Sequence, residues 1–401
     1  MKTSFFLLLL FILSFGCKSQ SQEVVFIDIN DNQIQAGAAR TQEYFPLLEG
    51  KNIALCVNHT SVIGSVHLLD TLMTAGMKIV KVFSPEHGFN GNEEAGKSIQ
   101  DATEPKNKIP IISLYGNNKK PTKEQLKGVD IIVFDMQDVG ARFFTYISTL
   151  HYVMEAAVEN NIKVIILDRP NPNGYWVDGP VLDTAYRSFV GMHPVPIAHG
   201  MTIGEYAQMI NGEGWLKGKK KCDLTVIRIF GYVHILRYQL PINPSPNLSS
   251  MAAIYLYPSM CLFEGTVMSV GRGTNKPFCI YGHPDFPIGT VYFTPENITG
   301  IATNPPCLGK ECRGFDVTDL SLIFMKDNNF INLNLLIEAY QQYPDKTKFF
   351  SAFFDKLAGN KSLRGQIIAG KTADEIRYSW QKDLIKFKQI RKKYLLYPDF
   401  E

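Results

Sequence analysis

The chain has 401 residues, 45% of them hydrophobic and 20% charged, with 41 basic against 38 acidic side chains and a formal charge of +3. That composition excludes a disordered chain, and the length exceeds one ordinary core, so two domains are expected. The charge balance, with no Lys/Arg stripe interleaved with aromatics, argues against a nucleic-acid partner and weakly favours a small or uncharged ligand.

At the N-terminus, Lys2 precedes an apolar run over residues 5–15, closed by Gly16 and Cys17. A short basic start, an apolar core too short to span a membrane and a small residue before the break describe an export signal. A cysteine directly after glycine resembles a lipoprotein signal, with Cys17 as the lipidated first residue. Phe15 is bulkier than the tightest form of that pattern, and simple secretion is the other reading. Residues 18–23 then form a polar tether, and the expectation is an exported, periplasmic protein held to a membrane by lipid alone. Six cysteines remain beyond Cys17. Export permits disulfides, and Cys307 with Cys312 could close a small loop. No C-x-x-C pair occurs, so a structural zinc site is not expected.

Five apolar runs follow in the first half, at 53–57, 79–83, 111–114, 129–134 and 164–167, each ending in a tight polar cluster. Short β-branched runs between helical stretches read as buried parallel strands, and ligands of such sheets bind beyond the carboxyl ends of the strands. After Asp138, the residues Phe143, Ile147, Leu150, Met154 and Ala157 recur at helical spacing. Thr202 followed by Glu205 reads as a capping box opening another helix, and residues 224–230 as one more strand. Residues 241–247 are the densest proline stretch and suit a rigid extended link. The reading is an α/β fold: a Rossmann-like, mostly parallel sheet domain over 24–243, then a smaller α+β domain over 244–401.

Glu86, fixed between Pro85 and His87 at a strand exit, suits a general acid; the alternative is a loop glutamate that caps or salt-bridges. Asp135 and Asp138 flank Gln137 on the central strand's exit. One of them could be protonated or neutralised by Arg142, or Asp138 could cap the helix placed near Val139. Arg142 and Tyr146, one helical turn apart, could clamp a carboxylate and hydrogen-bond or stack on a sugar, or Arg142 could pair internally with Asp138. Glu264, and Arg272 between Gly271 and Gly273, suggest backbone close to a ligand, or plain turns. Residues 91–98 satisfy G-x-x-x-x-G-K-S, but a polar insertion parts them from the strand, two glutamates would repel phosphate and no helical pattern follows, so nucleotide binding is not expected. No G-x-G-x-x-G turn follows the first strand. Neither H-E-x-x-H nor paired histidine spacing occurs, leaving convergence of His59, His87 and His199 with Asp135 as a weak metal alternative. No metal and no cofactor are expected.

The strings Val57-Asn58-His59-Thr60, Phe83-Ser84-Pro85-Glu86-His87-Gly88 and Phe134 through Tyr146 resemble the exo-β-N-acetylmuramidase family of bacterial peptidoglycan recycling. So do Leu167-Asp168-Arg169-Pro170-Asn171-Pro172, His199-Gly200-Met201-Thr202, Pro244-Ser245-Pro246-Asn247, Glu264-Gly265-Thr266 and Gly271-Arg272-Gly273-Thr274, in order from about Asn52 to the C-terminus. The resemblance implies a cleft between the two domains and release of terminal N-acetylmuramic acid from the non-reducing end of glycan fragments. It makes Glu86 the catalytic acid, with Asp135, Asp138 and Glu264 as further catalytic candidates. His87, Arg142, Tyr146 and Arg272 become substrate-binding candidates, joined by Asn58, His59, Asn171, His199 and Asn247 in the same blocks. An arginine clamp for the lactyl carboxylate is expected, and Asp135 or Asp138 could orient the 2-acetamido group. A non-catalytic peptidoglycan-binding lipoprotein is the alternative.

Overall fold

The computed structural model describes residues 34–94, 101–104, 108–326 and 329–401. The signal segment with Cys17, the tether and residues 95–98 of the phosphate-loop string lie outside the described residues. The first lobe runs β1 (Asn52–Val57), a small hairpin of β2 (Val62–Ile63) and β3 (Val66–His67), then β4 (Lys78–Ser84), β5 (Ala102–Thr103), β6 (Pro110–Ser113), β7 (Ile131–Asp135), β8 (Lys163–Leu167) and β9 (Leu224–Ile227). Its helices are α1 (Thr41–Leu48), α2 (Leu68–Thr74), α3 (Tyr146–Asn160) and α4 (Ile203–Gly212).

Seven strands form one sheet in the order β5-β6-β4-β1-β7-β8-β9. All pair in parallel except β5, which runs antiparallel on the edge. The chain builds outward from β1 through β4 and β6, then returns to β7 on the other side, so the order reverses at β1 and opens a crevice there. Period-two alternation explains the unbroken apolar runs, because helices cover both faces. Ile53, Leu55 and Val57 join Val133 and Ile165 on one face. Ala54 and Cys56 join Phe134 and Ile166 on the other.

The second lobe contains α5 (Met251–Met260), β10 (Ile280–His283), β11 (Val291–Phe293), β12 (Cys312–Asp316), α6 (Leu320–Lys326), α7 (Leu333–Gln342), α8 (Phe354–Ala358), α9 (Ser362–Ile368) and α10 (Ala373–Arg391). Its sheet is antiparallel, in the order β10-β12-β11. The α/β class with a smaller α+β lobe agrees with the sequence. The apolar layer on one sheet face nevertheless continues through Leu256, Phe263, Ile331 and Trp380, so the lobes share one core. The 241–247 link is itself held down: His59 Nε2 donates to the Asn243 carbonyl at 2.8 Å and the Tyr146 hydroxyl to that of Pro244 at 3.2 Å.

One helix starts later than the spacing predicts. Residues 139–145 are not helical, because Gly140 takes φ 76° and the Arg142 amide donates to the Ile197 carbonyl. The backbone pairs with residues 197–198 instead of entering α3, which begins at Tyr146. Asp138 therefore does not cap α3, and Arg142 does not share a helical face with Tyr146. The capping box of Thr202 and Glu205 is present at α4.

Arg142 is fully buried, and its guanidinium donates to four carbonyls: Pro180 (2.7 Å) and Val195 (2.8 Å) in the first lobe, Leu357 (2.8 Å) and Ala358 (2.9 Å) in the second. Both expectations for Arg142, substrate clamp and internal partner of Asp138, are corrected: its terminal nitrogens are spent on backbone. Burial opposes the charge and pulls its pKa down to about 9. Arg142→Met strips the donor from four buried acceptors and should lower the unfolding free energy by about 3–5 kcal/mol. Urea titration measures it; a loss under about 1 kcal/mol contradicts the inter-lobe role.

Candidate functional site

A cavity of about 400 Å³ opens between the lobes, within the size range of small-molecule sites. The loop after β4, Tyr115 after β6, the entry to α3, Val190 and residues 245–248 at the end of the link wall it on one side. Tyr257, Glu264, Arg272, Phe278 and residues 301–306 close it from the second lobe.

Glu86 sits where β4 turns. The Gly88 amide bonds back to the Pro85 carbonyl, and His87 and Gly88 both take left-handed φ, 72° and 75°. A non-glycine residue in that region is uncommon and is kept only where its surroundings fix it. Glu86 is buried, lines the cavity and accepts a 2.6 Å hydrogen bond from the Thr145 hydroxyl, one residue ahead of α3. His87 Nδ1 donates to the Glu93 carbonyl at 2.7 Å. Burial holds the His87 pKa below its usual value against the opposing pull of the Glu86 charge, and Arg272 pushes the same way as burial. A neutral imidazole with Nδ1 protonated keeps Nε2 as an acceptor.

Across the cavity, Arg272 Nε donates to Glu264 Oε1 at 2.5 Å, and the guanidinium lies 5.0 Å from the Phe278 ring centre. Burial opposes the Arg272 charge, but Glu264 outweighs it and holds the pKa above the usual value. Tyr146 accepts from Asn58 Nδ2 at 2.8 Å while donating to the link, and burial, aided by the Glu86 charge, raises its pKa. Asn247 lines the cavity with Nδ2 on the Ile301 carbonyl at 2.9 Å.

The structure thus gathers Glu86, His87, Tyr146, Asn247, Glu264 and Arg272 and leaves the other candidates off the cavity lining. Asp135 is corrected from catalysis to structure: it is fully buried, with both oxygens held by Arg169 at 2.5 and 2.8 Å. Asp138 is corrected too. Its Oδ2 accepts from the Gly140 amide at 2.7 Å and lies 3.7 Å from His199 Nε2. Burial lifts Asp138 to about 7 and drops His199 to about 3, so no ion pair forms between them near neutrality. Asn58 organises its own turn by accepting from the Thr60 amide and hydroxyl. His59 holds the link. Asn171 bonds the Met201 carbonyl and the Asn173 amide, and His199 Nδ1 accepts from the Met201 amide. Among the described residues no group of three or more His, Cys, Asp or Glu is placed to hold a metal ion.

Sequence reasoning missed Thr145, Tyr115, Ser245 and Tyr257 as lining residues. Thr145 and Ser245 stood inside quoted blocks, and Tyr115 at a strand exit, so position alone could have flagged them. Tyr257 carried no such signal, since it reads as one more apolar residue of α5.

Two family profiles match the chain, "Exo-beta-N-acetylmuramidase NamZ, N-terminal" over residues 53–252 and "Exo-beta-N-acetylmuramidase NamZ, C-terminal" over 255–397. The peptidoglycan β-N-acetylmuramidase NamZ of Bacillus subtilis (strain 168) is 39% identical over 377 residues, which is 88% of this chain and 89% of that protein. Two crystal structures of DUF1343 family proteins from Bacteroides fragilis superpose on it, one with TM-score 0.85 at 48% identity, the other with 0.78 at 30%. Each covers 91% of this chain and 99% of its own.

Proposed function

Because this chain belongs to the exo-β-N-acetylmuramidase NamZ family, we propose that it is a glycosidase releasing terminal N-acetylmuramic acid from the non-reducing end of peptidoglycan fragments, with Glu86 as the proton donor. The observation that carries the assignment is Glu86 inside the inter-lobe cavity, fixed by Thr145 and opposite the Glu264–Arg272 pair. Glycoside hydrolysis needs one carboxyl group to protonate the leaving oxygen and a second group on the other face of the sugar. Glu86 accepts from the Thr145 hydroxyl at the cavity wall, which holds its carboxyl where a leaving oxygen can meet it. Glu264, facing a guanidinium, suits the accepting or orienting side. With Asp135 and Asp138 withdrawn from the cavity, that second role passes to Glu264.

The substrate's lactyl carboxylate calls for a cation, and Arg272 is the arginine of the lining. Its Nε is engaged by Glu264, while its terminal nitrogens make no hydrogen bond among the described residues. Phe144, Tyr257 and Phe278 supply aromatic surface suited to a sugar's apolar face. Exo action fits a wall across the cavity: Glu94 accepts from the Thr303 amide at 2.6 Å and from its hydroxyl, and Gly300 packs on the Asn92 carbonyl. That clasp joins the loop beyond Glu86 to the second lobe and favours a chain end over a continuing glycan. The sequence pattern through Cys17 supports export and a lipid anchor on that cysteine, in the periplasm, with the membrane contacted only through lipid.

Glu86→Gln should cost about 10²–10⁴-fold in turnover of a muramyl disaccharide, and far less with a nitrophenyl leaving group that needs little protonation. Equal losses on both substrates would count against proton donation. Arg272→Met should raise KM for the muramic acid glycoside about 10–100-fold, the range of a charged hydrogen bond, and leave the lactyl methyl ester unaffected. An unchanged KM for the free acid removes the clamp. For the anchor, wild-type protein should pellet with membranes and dissolve in detergent, while Cys17→Ala should stay in the supernatant; wild type in the supernatant ends that proposal.

A further inference from the structure

One segment of the second lobe's cavity wall ends on a cysteine. Ile301, Ala302, Asn304, Pro305 and Pro306 line the cavity, and Cys307 follows directly. The chain then turns back on itself. The Leu308 amide donates to Pro305 (3.1 Å), that of Lys310 to Cys307 (3.0 Å) and that of Gly309 to Pro295 (2.8 Å). Cys307 itself takes a left-handed φ of 63°, which a side chain rarely adopts without external constraint. This turn delivers the chain to Cys312, the first residue of β12, paired there with Phe293 of β11. Both thiols are unbonded in the structure and neighbour each other across this turn, Cys307 half-buried and Cys312 fully buried, with Cys312 Sγ donating to the Lys310 carbonyl at 3.6 Å.

We infer that Cys307 and Cys312 are joined by a disulfide in the working protein, a covalent clip that ties the inner wall of the cavity to the sheet of the second lobe. The inference depends on the proposed export for its oxidant but not on the muramidase reading. Reactivity singles out Cys307 as the first nucleophile; while its sulfur carries the charge, that neighbour and burial hold the Cys312 thiol up. The Cys312 hydrogen bond lowers the Cys307 thiol's pKa; burial opposes this, and the Lys310 charge assists it. Burial instead raises Cys56, Cys222, Cys261 and Cys279, which leaves those thiols poor nucleophiles. The oxidant is a thiol–disulfide oxidoreductase of the exported compartment, or oxidised glutathione in vitro. The Cys307 thiolate attacks the carrier's disulfide, forming a mixed disulfide and releasing one carrier thiolate. The Cys312 thiolate then attacks Cys307 Sγ and releases the second. Two electrons pass to the carrier, which leaves as a dithiol holding the two protons.

Trypsin cuts after Lys310, so residues 273–310 and 311–313 stay together only through this bond. A non-reducing peptide map of the exported protein should show that linked pair. Dithiothreitol should part it, and Cys307→Ser should lack it. Reduction should lower the Tm of the wild type by roughly 2–6 °C and leave that of Cys307→Ser unchanged. Alkylation of both thiols in the exported protein overturns the inference, even where oxidised glutathione later joins them. A linked pair whose reduction leaves the Tm unmoved overturns the bracing role.

Discussion

The arrangement turns on a charge with no carboxylate partner among the described residues. Arg142 is solvated by four backbone carbonyls drawn from both lobes, and each carbonyl needs that donor as much as the guanidinium needs them. Four bonds diverging from one planar group fix the lobes in angle as well as in distance. The residues after Arg142 inherit that constraint. Phe143, Phe144, Thr145 and Tyr146 enter the cavity at a set angle because their backbone is pinned immediately upstream. Thr145 passes it on to Glu86 through a hydroxyl, so the acid's position depends on a packing decision made away from the cavity.

Other buried acids serve the same end. Asp135 meets Arg169 beneath the strand exits. Asp168 accepts from Thr202, Tyr397 and the Gly204 amide, binding the C-terminal tail to the sheet, with burial raising its pKa to about 7. Asp178 accepts from Trp380 of α10 and from the Ile331 amide. An open parallel sheet concentrates loose backbone at its carboxyl edge, and polar side chains there satisfy it. The crevice where the strand order reverses is thereby filled by the protein itself, and the cavity is displaced outward toward the second lobe.

Division of labour follows. The first lobe presents the acid at the tip of β4, and the second presents the guanidinium and the paired carboxylate. Neither set lines the cavity alone, and the lobes around it share one apolar core. The link is bonded by His59 and Tyr146 along its length, and residue types that looked like ligand contacts serve as its anchors.

The sequence by itself determined six strands of the main sheet, through unbroken β-branched runs that only a doubly covered sheet accommodates, and the α4 capping box, which is a local contest between side chain and amide. It also determined that polar clusters gather on one edge, and which glutamate stands rigidly at a turn. It did not separate girders from chemistry. Asp135, Asp138, Arg142 and His199 have the same residue types, and occupy the same kind of position, as functional groups do. For Arg142 the choice between a ligand and carbonyls is settled by residues 38 to 216 positions away, Pro180 and Ala358 at the extremes. Tertiary structure alone decided that, because hydrogen-bond partners at such separations leave no periodicity or spacing in the chain to read.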